Sequence, residues 1–435
     1  VARPPERDFE HDTEDHLMQF DFSADDLIAS KNYGVAGQPH AAWTQLRKHA
    51  PVYRVESSEF PPFYAITRHA DIVKMSSKPN IFSNSKGPTL ISFEQEARRV
   101  AETTSFGSMR TIIEMDPPEH RDFRKVASAF FTPRSIHRLD DIVAECAREQ
   151  VDKLGREGEC DFVELIAQRH PLRVLATLLG VERHEEETML RLTQELFGSE
   201  DPDLQRKGED RKAATAALGA DFIALFTRII QDRRANPRDD LASMLANAKM
   251  PDGNPMPPIE TYGYFLIVFT AGHDTTRNAI ASGMQALLEH PDQLKKLCQD
   301  PSLARSTVEE VVRWATPVNY MKRFLLQDVE LHGTKLRAGE ELVMFYASAN
   351  RDEEVFDDPF TFDITRSPNP HLGFGTGEHF CLGAHVARLS SRALFLELAR
   401  RIELVEPAGT PSHIASSFVV GLKTLPIRYR LRSAA

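Results

Sequence analysis

The chain has 435 residues, enough for one large domain or two or three ordinary ones, with the 41% hydrophobic and 27% charged content of a soluble globular protein. A net charge of −11 argues against a nucleic-acid partner, because a polyanion binds to a positive surface. Val1 to Phe22 is acidic and polar without a signal-peptide layout, and no run approaches the ~18 to 20 apolar residues of a membrane span, so a cytoplasmic location is expected.

Residues 1–39 read as an N-terminal extension and 40–430 as a single domain, since no repeat or low-complexity linker divides the chain. The first strand signals are a pair, Val52–Val55 and Phe63–Thr67, parted by the turn-rich Ser57–Pro62. From Asp116 to about Gln299 apolar residues recur at helical spacing. The polar stretch Ser199–Glu209 parts two amphipathic helices, Glu185–Phe197 and Asp210–Arg234, and reads as a lid that admits substrate and then excludes water. Beyond the Pro- and Gly-rich Pro251–Pro258 comes the longest helix, Ile259–His290, closed by Pro291 and apolar over much of its circumference, so it should cross the core. A helix over Ser306–Trp314 follows, with Ser306 and Glu309 spaced as a capping box. Val329–Leu331 and Glu341–Phe345 then read as a strand pair turning at Gly333 and Gly339. An irregular stretch leads to a last helix, Leu382–Arg401, and short strands close the chain. The expected class is mainly α with a small β region.

Four segments carry chemistry. Cys146, Cys160, Cys298 and Cys381 are too scattered for a disulfide framework, and none forms a CxxC pair that would suggest zinc. Cys381 stands apart in Phe374-Gly375-Thr376-Gly377-Glu378-His379-Phe380-Cys381-Leu382-Gly383, where two glycines permit tight turns and the cysteine opens a helix. Free backbone N–H groups at a helix start stabilise a thiolate and tune a metal bound to it. Inside the long helix, Ala271-Gly272-His273-Asp274-Thr275-Thr276 puts a glycine where it costs roughly 1 kcal/mol relative to alanine. The Thr275 hydroxyl can compete for the Ala271 carbonyl, Asp274 supplies an ionisable group, and His273 reads as structural. Glu310-Val311-Val312-Arg313 places an acid and a base three apart on one helical face. Asp116 to Arg124 reads as a turn and a helix, with His120 and Arg124 one turn apart.

The cysteine segment resembles the haem-binding loop of the cytochrome P450 family, and the likeness extends from about Val52 to Ile427. The resemblance implies haem b held between the long helix and the cysteine loop, with Cys381 as axial thiolate ligand, whose electron push favours O–O cleavage. It implies that Thr275 orients the reacting oxygen and that Asp274 relays protons. His120, Arg124, Arg323, His379 and Phe374 become cofactor-binding residues, the basic ones against the haem propionates. Glu310 and Arg313 become a buried structural pair. Its usual third member, an arginine in a PxRF segment, is replaced in Pro359-Phe360-Thr361-Phe362 by Thr361, and Arg366 is the nearest substitute. The segments Ser348–Phe356 and Phe362–Arg366 look closest to the branch of α-terpineol monooxygenases served by small ferredoxins.

That likeness makes the expected activity hydroxylation of a small hydrophobic substrate, a monoterpenoid or aromatic hydrocarbon, with O2. Electrons would come from a [2Fe-2S] ferredoxin with its NADH-dependent reductase, docking on Arg121, Lys125 and Arg388. The expected pocket draws on Phe106, Met109, Ile267, Phe269, Ala271, Val318, Asn319, Phe418 and Val419. A fatty-acid or steroid hydroxylase is the alternative within the family. A non-catalytic haem sensor is the alternative outside it, and the Asp274–Thr275 pair speaks against that.

Overall fold

The long helix runs from Pro258 to Glu289 and forms the axis of the molecule. Pro258 opens it with a preset φ and no N–H to waste, and His290 leaves the helical region at ψ 72 so that Pro291 can start the next helix. A computed structural model describes residues 20–101, 109–197 and 211–432. The expected lid Ser199–Glu209 and Phe106 lie outside them.

Helices Arg169–Leu179, Ala304–Ala315 and Ala384–Arg401 pack around the central one. Toward its N-terminal half, Leu175, Phe222, Phe226, Phe265 and Phe269 form one apolar core. Toward its C-terminal half, Ile280, Met284, Val311 and Phe395 form another. Each such side chain contributes roughly 1.5–3 kcal/mol on burial. Three helices converge at Gly283, where an added Cβ would lie 2.7 Å from Val311 and 2.9 Å from Phe395, so only glycine permits this approach.

A five-stranded sheet flanks the helices in the spatial order Val52–Val55, Phe63–Ile66, Glu341–Phe345, Tyr320–Leu325, Phe82–Ser83. The expected pairing of Val329–Leu331 with Glu341–Phe345 does not occur. His332 and Gly333 both take positive φ, 51° and 79°, and fold Val329–Leu331 onto Thr334–Leu336 as a tight hairpin. Leu342 to Phe345 are all buried, as in a central strand, and lie parallel to Phe63–Ile66 and antiparallel to Tyr320–Leu325. A second sheet joins Glu157–Asp161, Pro426–Leu431 and Ile402–Pro407.

Two further expectations are corrected. The segment Ala213–Ala235, within helix Arg211–Ala235, is long and apolar enough to cross a membrane by length and composition. Alanines and glycine between the larger residues disguise it when only unbroken apolar runs are sought. Here Phe222 and Phe226 enter the core, while Asp221 pairs with Arg191 and Arg228 with Glu185. Helix Ala304–Ala315 begins two residues before Ser306, whose hydroxyl donates to the Leu303 carbonyl at 3.1 Å instead of capping. Asp300 caps the preceding turn through the Ser302 N–H.

From Phe20 onward the N-terminal segment packs on the body, with Leu27 and Ile28 buried. The Tyr33 hydroxyl donates to the Leu27 carbonyl at 2.7 Å and accepts from the Asn319 amide at 3.0 Å.

Candidate active site

The cysteine loop is shaped by its glycines. Gly375 and Gly377 take φ of 66° and 71°, and a Cβ on Gly377 would lie 2.2 Å from the Ser76 carbonyl oxygen. The loop therefore seats directly on helix His69–Ser76. The Cys381 N–H donates to the Phe374 carbonyl at 2.9 Å, and helix Ala384–Arg401 begins just beyond, after its cap Gly383.

Cys381 is reached by solvent, yet burial is the strongest influence on its thiol and pushes it up, while the Gly383 N–H, Arg124 and Arg388 pull it down. A group both accessible and walled by protein lines an internal cleft. The central helix lines a cleft in the same way. Ala271 and Gly272 are exposed although Thr270, His273 and Asp274 beside them are buried. The Thr275 hydroxyl donates to the Ala271 carbonyl at 2.8 Å, as its spacing predicts. An added Cβ on Gly272 would meet Leu175 at 3.1 Å, so this glycine also lets helix Arg169–Leu179 pack closely.

Hydrogen-bond donors gather beside the cysteine loop. The rings of His120 and His379 stack with centroids 4.0 Å apart. Both ring nitrogens of His120 and Nε2 of His379 are buried without a protein partner. Burial, then Arg124, lowers His120; burial, then His120, Arg323 and Arg124, pushes His379 down to about 2. Arg323 is buried and donates to the Lys322 carbonyl at 2.8 Å, and Arg124 donates to the Phe380 carbonyl at 2.6 Å. Neither arginine has an ion-pair partner among the described residues. Arg323 has the Tyr346 hydroxyl and feels the Asp116 carboxylate, yet the orphaned imidazole nitrogens and the guanidinium groups without an ion-pair partner still have room for anionic acceptors. A haem fits this donor set: His120, Arg124, Arg323 and His379 would take its propionates and Cys381 its iron.

Glu310 and Arg313 are both fully buried, and Arg313 grips the carboxylate at 2.7 and 2.8 Å. Arg313 also donates to the carbonyls of Asn350, Pro359 and Thr361, tying the helix to the chain that leads into the cysteine loop. Thr361 thus contributes its backbone, while the Arg366 guanidinium reaches Glu310 at 3.3 Å. The Asn369 amide and Asp363 N–H complete the carboxylate. Sequence reading missed a second link, in which Glu309 accepts from Arg388 at 2.7 and 2.9 Å and from His371 at 3.0 Å. Arg388 in turn lies 4.2 Å over the Phe374 ring.

Of the expected pocket residues, Ala271 is exposed, and Met109, Ile267, Val318 and Phe418 are half-buried. Phe269 is not among them: it is fully buried and packs edge-on against Phe222 at 5.4 Å. It sits two residues from both Ile267 and Ala271, which turns it to the far side of the helix. Asn319 is also fully buried and structural, donating to Tyr33 and to the Ser417 carbonyl. Val419 is buried in a bridge with Val318. On the outer surface, Arg121 and Lys125 are exposed, but Arg121 pairs with Glu378. Arg388 is engaged by Glu309, which removes it from any freely available basic patch.

The family model described as Cytochrome P450 matches residues 86–431. Cytochrome P450-terp of Pseudomonas sp is 38% identical over 413 residues, 93% of this chain and 96% of that protein. Methyl-branched lipid omega-hydroxylase of Mycobacterium tuberculosis is 37% identical over 399 residues, 89% of this chain and 90% of its own. The crystal structure of CYP108D1 from Novosphingobium aromaticivorans superposes with a TM-score of 0.85 at 34% identity, covering 94% of this chain and 98% of that one.

Proposed function

The chain belongs to the cytochrome P450 family, a haem b monooxygenase that works with O2 and a redox partner, and from that premise we propose that it hydroxylates a compact hydrocarbon-like substrate, a monoterpenoid or small aromatic. One observation carries the substrate class. Ile267, Ala271 and Thr275 follow one another at intervals of four on the central helix, so an apolar stripe leads along one face to the hydroxyl. A hydrocarbon lying on that stripe is held by burial at about 25 cal/mol per Å2, with few polar anchors. The likeness to Cytochrome P450-terp supports the same reading.

When bound, the haem supplies activation of O2 at a thiolate-ligated iron. The chain's own residues then supply binding, orientation and protons. Thr275 is held against the Ala271 carbonyl, where its hydroxyl can fix a water or a reacting oxygen at the cleft. Asp274, buried on the next face of the helix, is the proton donor in this reading. Arg121 and Lys125 receive the electron donor, proposed to be a [2Fe-2S] ferredoxin reduced through an NADH-dependent reductase.

A lipid hydroxylase is the second reading, supported by the 37% identity to a methyl-branched lipid omega-hydroxylase. Titrating the ferric protein with monoterpenes, small aromatics, branched fatty acids and sterols, and following the low-to-high-spin shift, separates the two. Tight binding and hydroxylation of the long-chain acids or sterols, with no response to terpenes or aromatics, overturns the first reading.

A further inference from the structure

Behind the central helix, away from the cleft, four polar side chains within about one and a half turns each bury an atom that has no protein partner. His273 Nδ1, Asp274 Oδ2, Arg277 Nε and Asn278 Nδ2 all lack a hydrogen bond from the chain. Asp274, Arg277 and Asn278 stand at intervals of three and four and so share one helical face. Thr275 lies a further 100° around, toward the cleft.

The way Asp274 is held is unusual. Its Oδ1 lies 3.8 Å from Arg277 Nη1 and its Oδ2 3.8 Å from His273 Nδ1, both beyond a hydrogen bond. Arg277 spends its donors elsewhere, on Asn278 Oδ1 at 3.0 Å and on the Leu422 carbonyl at 3.1 Å. His273 is anchored through Nε2 to the Gln168 carbonyl at 2.9 Å. The carboxylate is therefore attracted by a fixed guanidinium but not fastened to it. A group that must turn between two faces of a helix needs that kind of restraint, since a charge-assisted hydrogen bond would lock it.

Four orphaned donors and acceptors within about one and a half turns also meet the requirement for internal water, which needs two to four polar partners. Gly421 lies against the same place, where an added Cβ would come within 2.3 Å of Asn278 Cγ, so the backbone of residues 421–422 forms the roof. Beyond Arg277 sits Asp161, half-buried, whose Oδ1 accepts from the Val163 and Leu425 N–H groups and whose charge acts on Arg277.

We infer that Arg277 is a positioning residue that holds the Asp274 carboxylate by charge alone, within a hydrated seam that brings protons to it from the Asp161 side. This rests on the reading of Asp274 as proton donor. Arg277 touches neither the substrate nor the cleft and acts only through Asp274.

The test uses the haem-loaded protein. A crystal structure should show ordered waters within hydrogen-bond reach of His273 Nδ1, Asp274 Oδ2, Arg277 Nε and Asn278 Nδ2. The infrared carboxylate band of Asp274, isolated by difference against Asp274→Asn, should shift in Arg277→Met and return most of the way in Arg277→Lys. Asn278→Leu, which frees the guanidinium without removing it, gives a second route to the same shift if Arg277→Met folds poorly. With a substrate identified by spin shift, Arg277→Met should slow hydroxylation by about 10-fold, part of the ~100-fold or more expected for loss of the donor itself. Its solvent isotope effect should rise. A dry seam, or an Asp274 band unmoved by both variants, overturns the inference. If Asp274→Asn turns over like the wild type, the proton-donor reading falls instead, whatever the infrared shows.

Discussion

The Arg366 guanidinium stands 3.3 Å from a carboxylate oxygen of Glu310 although 56 residues separate them, and it closes a site that Arg313 already holds from within the same helix. All three side chains are buried or nearly so, and their remaining donors fasten the backbone at Asp357, Asp358 and Thr361. Removing Glu310 would leave two guanidinium groups without their counter-charge. Glu310→Ala should therefore cost about 3–5 kcal/mol, and Arg366→Ala, which leaves the inner pair intact, about 1–3 kcal/mol. Chemical denaturation with haem content measured alongside checks both, and equal losses in the two variants would contradict this division.

Burial pushes up the thiols of all four cysteines, but only at Cys381 do a helix-start N–H and two arginines, Arg124 and Arg388, together pull the other way. The reduced protein with CO should absorb at the position characteristic of thiolate ligation. Cys381→Ser should lose that band, and single substitutions of the other three should keep it.

Thr275→Ala removes the hydroxyl seated on the Ala271 carbonyl but no charge. NADH oxidation should continue while product falls by roughly 10-fold or more and hydrogen peroxide accumulates. Asp274→Asn should act differently, slowing NADH oxidation and product together by ~100-fold. Peroxide yield per NADH distinguishes the two outcomes.

Gly377 and Gly87 share a positive φ, 71° and 82°, but only Gly377 has a neighbour where a Cβ would go. Alanine at either should cost about 1–2 kcal/mol for the left-handed backbone. At Gly377 the Ser76 carbonyl stands in the way, so the loss should be larger and accompanied by weaker haem retention. Equal melting temperatures for Gly377→Ala and Gly87→Ala would show that the loop can lift from the helix beneath it.

Arg121 and Lys125 are exposed on one face of helix Glu119–Ser128, whereas Arg388 is committed to Glu309. Reduction by an acidic ferredoxin should slow as salt rises, and Arg121→Glu with Lys125→Glu should lower the association rate by about 10-fold or more at low salt. Arg388→Glu should instead destabilise the protein, because it places two carboxylates together. A reduction rate indifferent to both salt and the Arg121/Lys125 exchange would remove this docking face.

What the sequence disclosed depended on how local each arrangement is. The cysteine loop, the Thr275–Ala271 bond and the Glu310–Arg313 pair lie within a few residues, and their spacing alone brings them together. The sequence marks Arg366 only as the nearest arginine to Thr361, since its approach to Glu310 depends on a turn through Asp363 that no spacing prescribes. Phe269 is legible too, because its offset of two from Ile267 puts it across the helix, where it is buried against Phe222. Asn319 could not be assigned that way. Its partners are Tyr33 and Ser417, from opposite ends of the chain. The strand Glu341–Phe345 likewise prefers distant neighbours, because the wholly apolar run Leu342–Phe345 gains more between two strands than at the edge of a hairpin.

Helix Arg211–Ala235 carries a stretch long and apolar enough for a bilayer, yet less than half of it is buried. Its phenylalanines reach shelter only once the central helix has arrived from further along the chain. During synthesis this segment leaves the ribosome before its shelter exists, and a partly made chain presents an oily rod to whatever is near. The vulnerable moment of this protein is thus its birth, and yield on expression should respond to chaperone supply and to slower, cooler growth more than to any change at the catalytic centre.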